Sequence, residues 1–169
     1  VERFQITRSL TILLLLACVF GIGCVNPFAP ALRGTTESLW TDASTVGGLL
    51  QNFVTAYQLG DSLQYADLLD EQFQFQYYDP NLQRTEGWYR DTDLQATARM
   101  FRSFHNVSLI WGSVSDSVAA ISTTGTPVEI RVQYQLMLDE LSQLIGFARF
   151  TLLKPEGGKF RILLWQDEF

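Results

Sequence analysis

Residues 46 to 57 carry apolar side chains at Val46, Leu49, Leu50, Phe53, Val54 and Tyr57, the i, i+3, i+4, i+7, i+8, i+11 spacing of one helical face. Asp42, Ser44 and Thr45 are available as N-caps, and Gly60 supplies the stop. Asp61 can cap a second helix within SLQYADLLDEQ. The period then changes to two at Phe73, Phe75 and Tyr77, which predicts a strand, and Asp79, Pro80 and Asn81 end it. After a loop with Gly87, Trp88 and Tyr89, the run DTDLQATARMFRSFHN reads as a third helix. It has Leu94, Ala98, Phe101 and Phe104 on one face, Asp91 or Asp93 as its cap and Asn106 as its stop.

The remainder is strand-like. VSLIW, PVEIRVQYQLMLDE, IGFARFTLL and KFRILLWQD are four runs, the last two joined by KPEGGK, whose Pro155, Gly157 and Gly158 suit a tight hairpin. The second run alternates cleanly, with Val128, Ile130, Val132, Tyr134, Leu136 and Leu138 on one side and Glu129, Arg131, Gln133, Gln135 and Asp139 on the other. The last run is apolar on both alternations, Phe160, Ile162 and Leu164 against Leu163 and Trp165, so neither of its faces is expected to be fully exposed. Helices followed by antiparallel strands predict an α+β fold, a curved antiparallel sheet with the helices packed on one face. In 169 residues this leaves room for one domain, expected over residues 41 to 169.

The first residues have a different character. VERFQITR carries Arg3 and Arg8, and SLTILLLLACVFGIG is apolar before small side chains appear, the layout of a secretory signal over residues 1 to 23. The apolar run is shorter than the ~20 residues of a membrane-spanning helix. A signal ending in a small residue before cysteine resembles the lipobox of bacterial lipoproteins, which implies lipidation of that cysteine. GIGC points to Cys24 and LLAC to the alternative Cys18, with Cys24 favoured because it allows a longer apolar run. Val25 in place of aspartate after Cys24 implies, by the same resemblance, outer-membrane rather than inner-membrane retention. Residues 24 to 40, with Pro27, Pro30 and Gly34 and no periodic apolar face, read as a flexible tether. With no cysteine beyond Cys24, the exported body relies on core packing rather than disulfides.

The order helix, helix, strand, helix, curved sheet, with FVTAYQLGDSLQYADLLDEQFQF, resembles the nuclear transport factor 2-like superfamily, the cone-shaped fold shared with SnoaL-like polyketide cyclases and ketosteroid isomerases. Tyr57, Asp61, Leu68, Leu69, Phe73 and Phe75 carry the likeness, which spans roughly residues 44 to 168. These are packing positions. They imply the fold and are silent on chemistry.

The formal charge of -6 removes the electrostatic footprint for nucleic acid, so no nucleic-acid partner is expected. Phosphate-binding glycine loops, HExxH and paired-cysteine motifs do not occur, and His105 is the single histidine, so no cofactor or metal is expected. His105 is expected at the end of the third helix as a cap or half-buried residue. An isomerase-type site would need a carboxylate base in an apolar cone facing hydrogen-bond donors. Asp67, Asp91, Asp93 and Asp167 are the carboxylates on offer and Tyr77, Tyr78, Tyr89 and Tyr134 the donors, but Asp91 and Asp93 read first as caps and Asp67 and Asp167 as solvated. Tyr77, Trp88, Phe101 and Tyr134 are the pocket candidates, with the aromatic residues expected to fill the cone more than to leave it open. Leu163 and Trp165 are the candidates for an apolar strip on the sheet face opposite the helices, where a second copy or an envelope protein would pair.

The expectation is therefore a lipid-anchored protein of the bacterial envelope, facing the periplasm from the outer membrane, with a non-catalytic domain that binds a protein or a small apolar ligand. The alternative is a SnoaL-like isomerase, cyclase or hydrolase using a carboxylate and a tyrosine in the cone.

Overall fold

A computed structural model describes residues 39–115, 125–140 and 142–168. The segment expected as a signal, both cysteines and most of the expected tether lie outside the described residues. Helix α1 (Val46–Leu59) starts where Thr45 turns extended and its side chain accepts the Gly48 N–H at 3.0 Å. It stops at Gly60, whose φ of 63° is the left-handed conformation that glycine adopts at least cost. Asp61 follows at once, accepting the N–H groups of Leu63 and Gln64 at 3.1 and 3.0 Å to cap α2 (Ser62–Leu68). The second helix is shorter than its apolar pattern predicts, because Leu69 already begins strand β1 (Leu69–Asp79).

The stretch read as a loop around Trp88 is instead an edge strand, β2 (Arg84–Tyr89), folded back on β1 in antiparallel register with Phe75 opposite Trp88. Helix α3 (Arg90–Ser103) follows directly, and Tyr89 at its N-cap provides no side-chain bond, so neither Asp91 nor Asp93 caps it. Strands β3 (Val107–Ser115), β4 (Val128–Leu138), β5 (Ser142–Leu153) and β6 (Arg161–Glu168) complete one six-stranded sheet in the order β2-β1-β6-β5-β4-β3. Its neighbours are antiparallel except β1 and β6, which run parallel, a departure from the all-antiparallel expectation. The fold is α+β, an unclosed curved sheet with α1 and α3 packed on its concave face.

The core lies between that face and α1. Leu49, Phe53 and Ala56 from the helix are fully buried against Val132 of β4, Phe150 and Leu152 of β5, and Ile162 of β6. Phe53 is its hub, with ring centroids of Tyr57, Tyr65, Trp111, Phe150 and Trp165 all 4.8 to 6.2 Å away. The start of the domain is pinned to α1 by the buried Asn52, which accepts the Thr41 N–H at 2.7 Å and donates to the Thr41 carbonyl at 3.0 Å.

The last strand explains its own composition. Leu152 of β5 faces Ile162 and Thr151 faces Leu164, which leaves Leu163 as the extra residue of a β-bulge. The bulge shifts the alternation by one, so Ile162 and Trp165 both point to the helices. Trp165 therefore belongs to the interior, against Phe53, Phe75 and Phe150, and does not form the outer strip expected of it. Leu163 is half-buried in the bulge. Ile110 and Ile145, on either side of Gln135, are apolar groups that do lie exposed on the outer face.

Candidate functional site

At the end of the sheet away from the β5–β6 turn, the cone is not filled. A cavity of about 140 Å³ remains, walled by Tyr57 of α1, Phe75 of β1, Leu109 and Trp111 of β3, Tyr134 and Leu136 of β4, Leu144 of β5, and Trp165 and Asp167 of β6. Leu144 is 45% exposed, so it stands at a rim open to solvent. The rings are held in place from behind: Tyr57 stacks on Phe53 at 4.8 Å, Phe75 on Trp88 at 4.4 Å, and the Trp111 indole donates to the Leu50 carbonyl at 3.0 Å. The Trp165 Nε1–H is buried with no acceptor among the described residues, and an unmet buried donor costs about 1 to 3 kcal/mol in a typical interior.

Besides that indole and the Tyr57 hydroxyl, the wall carries a phenol and a carboxyl in contact. The Tyr134 hydroxyl donates to Asp167, 3.0 Å from Oδ1 and 3.3 Å from Oδ2. The contact crosses a whole strand, since Tyr134 is on β4, Asp167 on β6, and Gly146 and Ala148 of β5 lie between them. Gly146 makes the crossing feasible, because a Cβ there would lie 2.8 Å from the Tyr134 hydroxyl oxygen. Burial raises the Asp167 carboxyl above the usual aspartate range, the neighbouring Glu168 charge adds to this, and the Tyr134 hydrogen bond opposes it. Burial and the adjacent carboxylate likewise raise the Tyr134 phenol.

Gly146→Ala is expected to push the phenol off Asp167, raise the Asp167 pKa further by removing the bond that lowers it, and destabilise the domain by about 1 to 3 kcal/mol. Carboxyl-carbon NMR titration reads the first effect, and an Asp167 that titrates unchanged would show that the phenol contact does not tune it.

A second buried carboxyl sits apart from the cavity. Asp93 of α3, 5% exposed, accepts the Tyr65 hydroxyl at 2.6 Å and the Trp88 Nε1–H at 2.9 Å. Burial raises its pKa against these two bonds. It ties α3 to α2 and β2, a structural role that the cap reading missed.

Of the four pocket candidates, the structure brings only Tyr134 to the cavity. Trp88 covers the back of Phe75 and serves Asp93, and Phe101 packs edge-on against Tyr57 at 5.3 Å between the helices. Tyr77 borders a second cleft of about 290 Å³ with Gln76, Arg149, Glu168 and Asp167, so that Asp167 lines both spaces. Asp167, read as solvated, is the half-buried carboxyl of the site. Its signal was its place two residues after Trp165, on the same face. Asp67 and Asp91 are exposed, and so is His105, which lies beyond the helix end with its backbone N–H donated to Asp139. Among the described residues no three His, Cys, Asp or Glu side chains converge as metal ligands, and no helix is long and apolar enough to cross a membrane.

Neither the family models nor the curated proteins give a match to this sequence. Solved structures do. A provisionally assigned scytalone dehydratase from Novosphingobium aromaticivorans is 15% identical, with 72% of this chain and 79% of that one covered at a TM-score of 0.56. A domain of unknown function with a cystatin-like fold from Nostoc punctiforme is 13% identical, covering 80% and 78% at 0.56. A nuclear transport factor 2-like protein of unknown function from Cytophaga hutchinsonii is 12% identical, covering 74% and 89% at 0.51. The chain has the nuclear transport factor 2-like cone fold. At these identities the likeness extends to the fold alone.

Proposed function

We propose that this is an exported, lipid-anchored protein of the bacterial envelope, facing the periplasm from the outer membrane, whose cone binds a small, largely apolar ligand without transforming it. The observation that carries the binding role is the rimmed cavity of about 140 Å³, whose wall is aromatic and leucine except for the Tyr134–Asp167 pair. A cavity of ~150 Å³ lined by apolar side chains is large enough for benzene. The anchoring half rests on the signal and lipobox pattern that ends at Cys24.

Binding is tested by titrating the full-length protein with indole or benzene and following tryptophan fluorescence. A saturable change is expected, abolished in Leu136→Trp, which fills the space; no saturation overturns the reading. Anchoring is tested by fractionation. Cys24→Ser is expected to move the protein from the membrane to the soluble fraction, whereas release by Cys18→Ser alone would place the lipid on the other cysteine.

One observation favours an enzyme as the second reading. A half-buried carboxyl with a raised pKa beside a tyrosine is an acid–base arrangement, and a provisionally assigned dehydratase shares the fold. Exchange of the α-hydrogens of cyclohexanone in D2O, accelerated by the protein and lost in Asp167→Asn, would establish that reading in place of simple binding.

A further inference from the structure

The composition of the cavity wall narrows the ligand beyond size. Five of its nine lining side chains are aromatic, Tyr57, Phe75, Trp111, Tyr134 and Trp165, three are leucine, and the ninth is Asp167. Among the described residues no cationic side chain lines it. The arginines nearest in register, Arg131 and Arg149, both bind Glu168, at 2.7 and 3.0 Å. Arg131 also lies over the Phe147 ring at 3.7 Å. Phe147 is one residue out of phase with the inward-facing Ala148, which places these cations on the other face of the sheet. Asp167 thus stands at the edge of an aromatic enclosure, next in sequence to a second carboxylate, with a phenol as its hydrogen-bond donor and, among the described residues, no ion pair of its own.

Such a wall attracts positive charge in two ways. The negative faces of aromatic rings stabilise a cation, the more so once it is desolvated, and a partly buried carboxylate is strengthened as a partner by the low local dielectric. A neutral ligand would leave Asp167 unpaired. A primary ammonium would bring three N–H donors into a wall whose acceptors are one carboxylate and two phenol oxygens that already take part in other hydrogen bonds. A quaternary ammonium brings charge with no N–H to satisfy, and its methyl groups suit the rings and leucines.

We propose that the cavity binds a trimethylammonium group, enclosed by the five aromatic side chains with Asp167 as counter-ion. The assignment rests on the small-ligand reading of this cavity and names the chemistry of that ligand. The volume of about 140 Å³ admits one such headgroup, and the exposed rim at Leu144 lets the rest of a larger molecule extend into solvent.

The test compares three probes on the full-length protein by calorimetry and tryptophan fluorescence: choline chloride, its neutral carbon analogue 3,3-dimethylbutan-1-ol, and ethanolamine. Choline is expected to bind about tenfold or more tightly than either of the others, and Asp167→Asn is expected to remove most of that preference. Equal binding of choline and the neutral analogue overturns the cation assignment while leaving a small-ligand site in place. Equal binding of ethanolamine and choline overturns the quaternary assignment. If no probe binds, and indole and benzene do not bind either, both readings fall; if those neutral probes bind and choline does not, only the ammonium proposal fails. The wild-type comparison decides the question even if Asp167→Asn fails to fold.

Discussion

Replacing Phe53 by alanine is expected to lower the unfolding free energy by about 3 to 5 kcal/mol, the range for deleting a buried phenylalanine. The side chain is fully buried, and five aromatic rings from α1, α2, β3, β5 and β6 meet it. Those neighbours are large and held by their own contacts, Trp111 through its bond to Leu50 and Tyr65 through its bond to Asp93, so they cannot collapse into the space. The cost should lie in the upper part of the range for that reason. Urea unfolding followed by far-UV circular dichroism measures it, and a midpoint within error of the wild type would mean that α1 does not organise the core.

Trp165→Glu is the second large effect. The substitution removes a ring packed on Phe53, Phe75 and Phe150 and puts a second carboxylate two residues from Asp167 on the same face. Loss of packing alone is worth about 3 to 5 kcal/mol, and the uncompensated charge adds to it. The variant should be unfolded or strongly destabilised at neutral pH. A folded Trp165→Glu protein with wild-type stability and altered sedimentation would put the indole on the outer face after all, and would remove it from the cavity wall.

What could be read from the chain beforehand followed the range of the interactions. Helix α1, its Thr45 and Gly60 ends and the Asp61 cap are decided within four or five residues, and the periodic positions declared them. Strand β4 was legible because one face is core and the other solvent, so its alternation is unbroken from Val128 to Leu138. Strand β2 was not, because RTEGWY is an edge strand with little buried surface and no apolar alternation to announce it. The bulge at Leu163 erased the register of β6 and with it the direction of Trp165 and Asp167.

The carboxyls were misread for a related reason. Asp93 stands in the first turn of a helix, where local rules predict a cap, yet its partners Tyr65 and Trp88 come from α2 and β2. Asp167 acquires its phenol from two strands away, across a glycine that is small for that purpose. Of the cavity, Tyr134 and Trp165 were among the aromatic candidates and Asp167 among the carboxylates on offer, while the rest went unseen, since a pocket is made by elements distant in sequence.

The position of β6 has a consequence for how the molecule comes to be assembled. The β1–β2 hairpin and the β3–β4–β5 meander share no ladder and are joined into one sheet only by the strand between them, which follows both in sequence. Until residues 161 to 168 are available, each half exposes an open edge and the apolar face of Phe73 and Phe75 or of Phe150 and Leu152. Such late, long-range pairing makes folding slow relative to local structure. A chain emerging from a ribosome in order would therefore leave this sheet unclosed until residues 161 to 168 are made.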